Sequence, residues 1–296
     1  MHIPVLLEEV KEILAPQPGE VVVDGTLGEG GHAKEFIKAI HPNGTFIGLD
    51  LNEQNLSKAK EELKKLKKKK SLEVQLHFFQ KNFKNTEELI EKEDLKKPNI
   101  FFLDLGLCSS QIGSNKGFSY KKDEPLVMRY DEDVSGFTAA RLLNEYSEKQ
   151  LAEIIKEYGE EKFANRIAHE IAKKRREESL RTTGQLKEAI KKALPQNYSP
   201  DKHPAMRTFQ AVRIFVNKEL KNLKKILKKI PDFIAPSGKV GIISYHSLED
   251  KIVKNKFLGL TEESTAEFLK ELKKPSKKEK ENNPRSRSAK FRAIKL

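Results

Sequence analysis

Short apolar runs alternate with longer amphipathic segments along the first hundred residues. The runs are rich in β-branched and aromatic residues and are bounded by turn residues, which predicts buried strands. Together with one later run, the predicted strands are 21–24, 45–50, 74–79, 100–105 and 239–245. The amphipathic segments 33–40, 53–69 and 86–93 separate the first four strands. Strands alternating with helices predict an α/β fold with a parallel, doubly wound sheet.

The strand pattern stops between residues 113 and 199, where the apolar spacing becomes helical. Predicted helices are 139–144, 148–158, 160–176 and 184–193, and a long helix at 209–230 precedes the last strand. Phe163, Ile167 and Ile171, for example, recur at every fourth position along one helix face. We therefore expect a helical domain at 113–203, inserted into a sheet domain formed by 1–112 and 204–296. Such an insertion follows the carboxyl end of a strand, where a substrate domain belongs.

The end of the chain shows no clear apolar period. Residues 271–283 are rich in Lys and Glu, which predicts a mobile linker or a frayed helix. Residues 283–294 then indicate a basic turn that leads into an edge strand.

A glycine-dense turn follows the first predicted strand. Gly28, Gly30 and Gly31 come directly before a helix that begins near His32. Glycine allows positive φ and a close approach of the backbone to a ligand, and the helix N-terminus adds partial positive charge. Asp50 ends the next strand about 20 residues later, where an acid can bind ribose hydroxyls. This pattern predicts a nucleotide-type cofactor, although a tight turn without a ligand would also fit.

The turn distinguishes between two cofactor classes. Dinucleotide sites use G-x-G-x-x-G, whereas this chain has Gly28-x-Gly30-Gly31 preceded by the strand acid Asp24. That arrangement favours S-adenosylmethionine over NAD.

A further acid, Asp104, ends the fourth predicted strand and faces the same edge of the sheet. Its carboxylate can accept hydrogen bonds from an amine of the cofactor or of the substrate. The alternative is a helix N-cap.

Charge is unevenly distributed along the chain. The 57 Lys and Arg exceed the 44 Asp and Glu by 13, and residues 206–296 carry this whole excess. Basic residues concentrated in one region suit a polyanion such as RNA. The alternative is a lysine-rich solvated surface. The lysine run at 64–70, which follows Glu61 and Glu62, resembles such a surface.

Cysteine and hydropathy indicate the compartment. A single cysteine, Cys108, excludes an internal disulfide and fits a reducing compartment. No apolar run is long enough for a membrane span, and the first residues do not have the pattern of a signal peptide. We therefore expect a cytoplasmic protein.

Eight motifs occur in order along the chain. They are His2-x-Pro4-Val-Leu-Leu, Asp24-Gly-Thr-x-Gly28-x-Gly30-Gly-His32, Asp104-Leu-Gly, Gly117-Phe-Ser, Pro125-Leu-x-Met128-Arg, His203-Pro-Ala-x-Arg207-Thr-Phe-Gln-Ala-Val-Arg213, Ile243-Ser-Tyr-His246-Ser-Leu-Glu-Asp250 and Asn283-Pro-Arg-x-Arg287-Ser. Together they resemble the RsmH (MraW) family of 16S rRNA cytosine-N4 methyltransferases. Only the Lys-rich stretches near 60–72 and 261–282 carry no motif.

The resemblance implies a class I, Rossmann-like methyltransferase with an inserted α-helical substrate-recognition domain. The implied reaction is methylation of N4 of a cytidine in the decoding centre, the P-site region, of 16S rRNA in the small ribosomal subunit. Carried over by position, the implied S-adenosylmethionine contacts are Gly30, Gly31, His32, Asp50, Phe83, Asp104 and Gln111. Asp104 and His246 are candidate catalytic residues, and no metal site is expected. Arg207, Arg213, Arg285 and Arg287 are candidate RNA contacts.

Several positions depart from the family pattern. The family usually has Val-Ser-Ser after Asp-Leu-Gly, where this chain has Leu107-Cys108-Ser109. Met206 replaces a Thr, and Gly113 stands where an acid often occurs. Val127 replaces an Asp, which removes a charge near the predicted substrate loop.

Other interpretations remain open. Cys108 could act as the nucleophile of a cytosine-C5 methyltransferase, and His246 could be a structural residue at a helix start. Arg213 could pair with Glu219 instead of RNA. A non-catalytic RNA-binding factor would have a degraded cofactor turn, whereas this turn is intact.

Overall fold

The structure, a computed structural model, describes residues 3–107, 109–131, 136–195, 198 and 203–296. The strands are β1 (Val21–Asp24), β2 (Gly44–Leu49), β3 (Val74–Phe79), β4 (Ile100–Asp104), β5 (Lys239–Ser244), β6 (Glu267–Lys273) and β7 (Lys290–Lys295). The helices are α1 (Leu7–Leu14), α2 (Gly31–Ala39), α3 (Glu53–Lys69), α4 (Thr86–Lys92), α5 (Ser109–Ile112), α6 (Ala139–Glu145), α7 (Glu148–Gly159), α8 (Ala164–Glu177), α9 (Thr183–Ala193), α10 (Met206–Asn217), α11 (Glu219–Phe233), α12 (Ser247–Glu262) and α13 (Lys277–Asn282). Short 3₁₀ turns occur at Phe83–Asn85 and Pro284–Ser288.

One sheet carries all of these strands, in the order β3-β2-β1-β4-β5-β7-β6. β3, β2, β1, β4 and β5 are parallel neighbours, and β7 runs antiparallel to both β5 and β6. The strand order reverses direction between β1 and β4, so a crevice opens outside their carboxyl ends. The α/β, class I Rossmann-like fold expected from the sequence is confirmed.

Both faces of the sheet are covered by apolar side chains. Val22, Phe102 and Phe291 point to a core shared with α1, α2 and α3. Val23, Phe101 and others point to a second core shared with α4, α11 and α12. Alternate residues of each strand reach opposite faces, so every central strand is buried on both sides, as the near-continuous apolar runs predict.

The chain divides into two compact units. One comprises residues 1–106 and 220–296 and contains the sheet, and the other comprises residues 107–219. The second unit packs α6 to α10 around an apolar core to which Phe209, Val212 and Val216 of α10 contribute. The helical unit therefore extends past residue 203, the boundary expected from the sequence, because α10 buries its apolar face in this core.

The predicted helix 209–230 is two helices. Lys218 adopts φ 52° and separates α10 from α11. The Asn217 side chain donates to the Met128 carbonyl at 2.7 Å and accepts from the Tyr130 amide at 2.9 Å. Similarly, Glu160 at φ 49° ends α7, so the next helix begins at Ala164 instead of residue 160. At both breaks the residue with positive φ is not a glycine, and the pattern of apolar positions did not reveal either break.

Residues 271–283, for which a mobile linker or a frayed helix was predicted, contain the end of β6 and the short helix α13. β6 pairs with β7 across Glu267–Lys273, and Ser276 caps α13 by accepting from the Glu279 amide at 3.1 Å. Backbone pairing and a capped helix order this Lys- and Glu-rich segment without an apolar period. β7, expected at an edge, lies between β5 and β6, and β6 forms the edge instead.

Among the described residues, we find no helix with the length and apolar character that crossing a bilayer would require.

Candidate active site

Three acids meet at the carboxyl edge of the sheet. Asp24 ends β1, Asp104 ends the neighbouring β4, and Asp50 follows β2 on the other side of β1. Burial, together with the nearby carboxylates of Asp104 and Asp50, raises the pKa of Asp24 to about 7. In the part of the chain that is described, the three carboxylates accept hydrogen bonds from backbone amides and hydroxyls, and from no Lys or Arg. The result is an acidic crevice, which suits a positively charged ligand.

The glycine turn is tied to this crevice through Asp50. Gly28 and Gly30 have φ of 53° and 75°, a region that favours glycine. The Gly28 amide donates to Asp50 Oδ2 at 2.8 Å, and the Asn52 amide donates to Oδ1 at 2.8 Å. Burial nevertheless raises the pKa of Asp50 to about 6. Asp50 therefore shapes the turn in addition to any contact it makes with a ribose.

Gly31 and His32, which begin α2, contact the N-terminal segment of the chain. A Cβ at Gly31 would lie 2.5 Å from Pro4 Cγ, so only glycine fits there. The buried His32 ring lies against Phe102, and its Nε2 is 2.9 Å from the Val5 carbonyl oxygen. The structure thus gives both residues a packing role, and their predicted cofactor contacts stay predictions.

Phe83 lies in the 3₁₀ turn after β3 and is half-buried. A Cβ added to Gly25, directly after β1, would come within 2.9 Å of the Phe83 Cβ and 2.6 Å of Leu103 Cδ2. Gly25 therefore lets Phe83 approach the end of β1, and the contact of Phe83 with the cofactor stays a prediction. Gln111, the remaining predicted cofactor contact, lies half-buried in α5 of the helical unit.

Asp104 is held by two groups of the sheet unit. Its backbone amide donates to Thr26 Oγ1 at 2.6 Å, and its Oδ1 accepts from the Tyr245 hydroxyl at 2.7 Å. Burial, followed by the Asp104 charge, raises the pKa of Tyr245 well above its ordinary value. The sequence analysis did not identify Tyr245, although it follows β5, the neighbour of β4, in a motif that was noted for its histidine.

His246 is the N-cap of α12. Its Nδ1 accepts from the Glu249 amide at 3.4 Å. Its Nε2 lies 3.0 Å from Glu249 Oε1, but the direction is not that of a hydrogen bond, so this buried nitrogen has no partner among the described residues. Ser244, at the end of β5, donates to the Lys290 carbonyl at 3.4 Å. The geometry favours the structural interpretation of His246, and its catalytic role stays a prediction.

Two of the four candidate RNA-binding arginines lie in the sheet unit, in the turn Pro284–Ser288. Arg285 is half-buried, and its Nη1 has no hydrogen-bond partner among the described residues. Its positive charge lowers the pKa of Tyr245, against the larger effects of burial and Asp104. The turn precedes β7, whose first residue Lys290 pairs with Ser244 at the carboxyl end of β5, so it lies near the edge of the sheet that carries Asp104. Arg287 is exposed.

The other two arginines lie in α10. The exposed Arg207 donates from Nη1 to the Glu160 carbonyl at 3.0 Å. Arg213 makes two hydrogen bonds of 3.0 Å to the Glu219 carboxylate, and the two side chains are 17% and 10% exposed. This is the structural pairing considered for Arg213 in the sequence analysis. Cys108, the candidate nucleophile, lies outside the described residues.

Comparison with known proteins gives one consistent result. The profile of the MraW methylase family matches residues 1–296. The chain is 41% identical to ribosomal RNA small subunit methyltransferase H of Clostridium botulinum strain Loch Maree, covering 98% of this chain and 97% of that protein. The proteins of the same name from Halothermothrix orenii and Kosmotoga olearia are 40% and 43% identical, covering 98% and 99% of this chain and 97% and 96% of their own lengths. The chain therefore belongs to the MraW methylase family, whose members use S-adenosylmethionine as the methyl donor.

Proposed function

We propose that this protein transfers a methyl group from S-adenosylmethionine to N4 of a cytidine in the decoding centre of 16S rRNA, in the P-site region of the small ribosomal subunit. Relatives named as small subunit rRNA methyltransferases, matched over nearly the whole chain, support the substrate class. The acidic crevice supports the use of a cationic methyl donor, and it is the observation that carries this proposal. The small subunit places the reaction in the cytoplasm.

The crevice fits the donor because S-adenosylmethionine carries positive charge on its sulfur and its amine. In this proposal Asp50 binds the ribose, Phe83 contacts the adenine, and the turn at Gly30, Gly31 and His32 adjoins the methionine end. The donor supplies a methyl group on a cationic sulfur. Carboxylates without a cation of their own stabilise such charge better than water does at a partly buried site.

Asp104 has the chemistry that the amine requires. The lone pair of an exocyclic amine is delocalised into the cytosine ring, so the enzyme must orient the nitrogen and raise its electron density by accepting an N–H. A carboxylate at the end of β4 can accept one N–H and take the proton that the methylated amine releases. This step needs no covalent intermediate.

RNA contacts are assigned to the arginines near this edge. Arg285 is half-buried and Arg287 is exposed, so in this proposal both bind phosphate or stack on a base. We also propose that the helical unit, with Arg207, recognises the rRNA around the target. Arg213 is occupied by Glu219 and serves structure in this proposal.

A labelled-donor assay tests the assignment. Small subunits from a strain lacking the enzyme are incubated with the protein and S-[methyl-³H]adenosylmethionine, and the rRNA is then digested to nucleosides. We expect label in N4-methylcytidine from 16S rRNA and none from a reaction without protein. Label in C5-methylcytidine would instead support the alternative chemistry through Cys108, because C5 is a poor nucleophile and needs a thiolate added at C6. Parallel reactions with free 16S rRNA show whether the assembled subunit is required.

A further inference from the structure

The Tyr245 side chain reaches Asp104 across Gly106. Gly106 follows β4, and a Cβ on it would lie 2.7 Å from Tyr245 Cε2 and 2.9 Å from Cζ. The Leu105 amide, just before it, donates to the Ile243 carbonyl of β5 at 3.0 Å, which fixes the two strand ends side by side. Glycine at 106 thus leaves the space through which the ring extends to the carboxylate.

The backbone of Tyr245 is held separately from its ring. Its amide donates to Glu249 Oε2 at 2.9 Å, and Glu249 is a buried residue in the first turn of α12. The position of the tyrosine therefore does not depend on its hydroxyl. Loss of the hydroxyl alone would remove the bond to Asp104 and leave the ring in place.

The hydroxyl acts as a donor to one defined oxygen. It donates to Asp104 Oδ1 at 2.7 Å, a charge-assisted bond of the stronger kind. Because burial and the Asp104 charge raise the pKa of Tyr245 well above its ordinary value, the group stays protonated and does not serve as a base. Oδ1 accepts from Tyr245, and no donor among the described residues bonds Oδ2, so Oδ2 can accept from a substrate.

We propose that Tyr245 is a positioning residue, whose hydroxyl holds Asp104 Oδ1 so that Oδ2 accepts the amine of the target base. The inference rests on the proposed function, since it assigns Asp104 the amine. It predicts that Tyr245 affects the orientation of the acceptor and not the binding of the donor or the stability of the fold.

The test compares Tyr245→Phe with Tyr130→Phe. The control also removes a hydroxyl that donates to a carboxylate, since Tyr130 bonds Glu219 Oε1 at 2.8 Å in the helical unit. We expect Tyr245→Phe to lower kcat by about tenfold or more with KM for the subunit within about twofold. Its melting temperature and its affinity for S-adenosylmethionine should match the wild type, and Tyr130→Phe should keep kcat within about twofold.

A double-mutant cycle separates positioning from general structural support. In an Asp104→Asn background, Tyr245→Phe should cause no further loss of kcat, because the oriented carboxylate is already gone. Wild-type kcat in Tyr245→Phe would overturn the inference. So would a loss of kcat that only accompanies a lower melting temperature and weaker donor binding. If the wild-type product is not N4-methylcytidine, the proposed function fails, while the same kcat comparison on the observed product still decides the role of Tyr245.

Discussion

At the scale of single residues, the buried carboxyl of Asp24 makes stability depend on pH. Its pKa is about 7 in the folded protein, against about 3.9 for an unfolded aspartate. The folded state therefore binds a proton that the unfolded chain has lost, so this stabilisation is complete below about pH 4 and disappears as pH rises through 7. We expect Asp24→Asn to raise the melting temperature, relative to wild type, more at about pH 8 than at about pH 5. Thermal unfolding of both proteins across this pH range measures the difference in melting temperature. A difference that does not change with pH would contradict the prediction.

In the proposed function, Asp50 links the glycine turn to the donor. Asp50→Ala removes the acceptor for the Gly28 and Asn52 amides as well as the predicted ribose contact. We expect it to weaken S-adenosylmethionine binding by about 1–3 kcal/mol. Glu53→Ala, which removes an exposed acid from the start of α3, serves as the control and should leave affinity unchanged. Calorimetry showing equal affinities in Asp50→Ala and wild type would remove Asp50 from the donor site.

At the scale of elements, the N-terminal segment supports the start of α2. Gly31→Ala would place a methyl group 2.5 Å from Pro4 Cγ, which we expect to cost about 1–3 kcal/mol of stability. Pro4→Ala removes that Cγ, so the cost of Gly31→Ala should fall in the Pro4→Ala background. Denaturant unfolding of the two single variants and the double variant gives the coupling, and additive effects would show that the contact does not matter.

The bounds of the strands and helices show which parts of the fold could be predicted from the sequence. β1 and β3 have the bounds that their apolar runs predict, because buried parallel strands depend on local composition. The break at Lys218 could not be predicted, since it depends on bonds between Asn217 and residues far away in the sequence. The same applies within the site. The glycine turn and the three acids follow from local patterns, whereas the bond from Tyr245 to Asp104 requires knowing that β5 lies beside β4.

At the scale of the whole molecule, we expect the positive charge of residues 206–296 to strengthen association with rRNA. We expect Arg285→Ala and Arg287→Ala each to weaken subunit binding and to reduce the slope of log affinity against log salt by about one unit. Donor affinity should not change.

Arg213→Ala is the contrast. It removes the cationic partner of Glu219, so it should lower the melting temperature while the salt slope stays the same. Filter binding over a salt series measures the slopes. Unchanged slopes in both sheet-unit variants would contradict an RNA role for the turn Pro284–Ser288.

One measurement decides whether Asp104 accepts the amine or Cys108 acts as a thiolate nucleophile. It is the rate of single-turnover methyl transfer to small subunits by the Asp104→Asn and Cys108→Ser variants. Thermal unfolding checks that each variant is folded. If Asp104 accepts the amine, Cys108→Ser keeps most of the wild-type rate of N4-methylcytidine formation, and Asp104→Asn lowers it by about a hundredfold or more. Full loss of turnover in folded Cys108→Ser, with C5-methylcytidine as the wild-type product, would contradict the assignment, as would an Asp104→Asn protein that reacts at the wild-type rate.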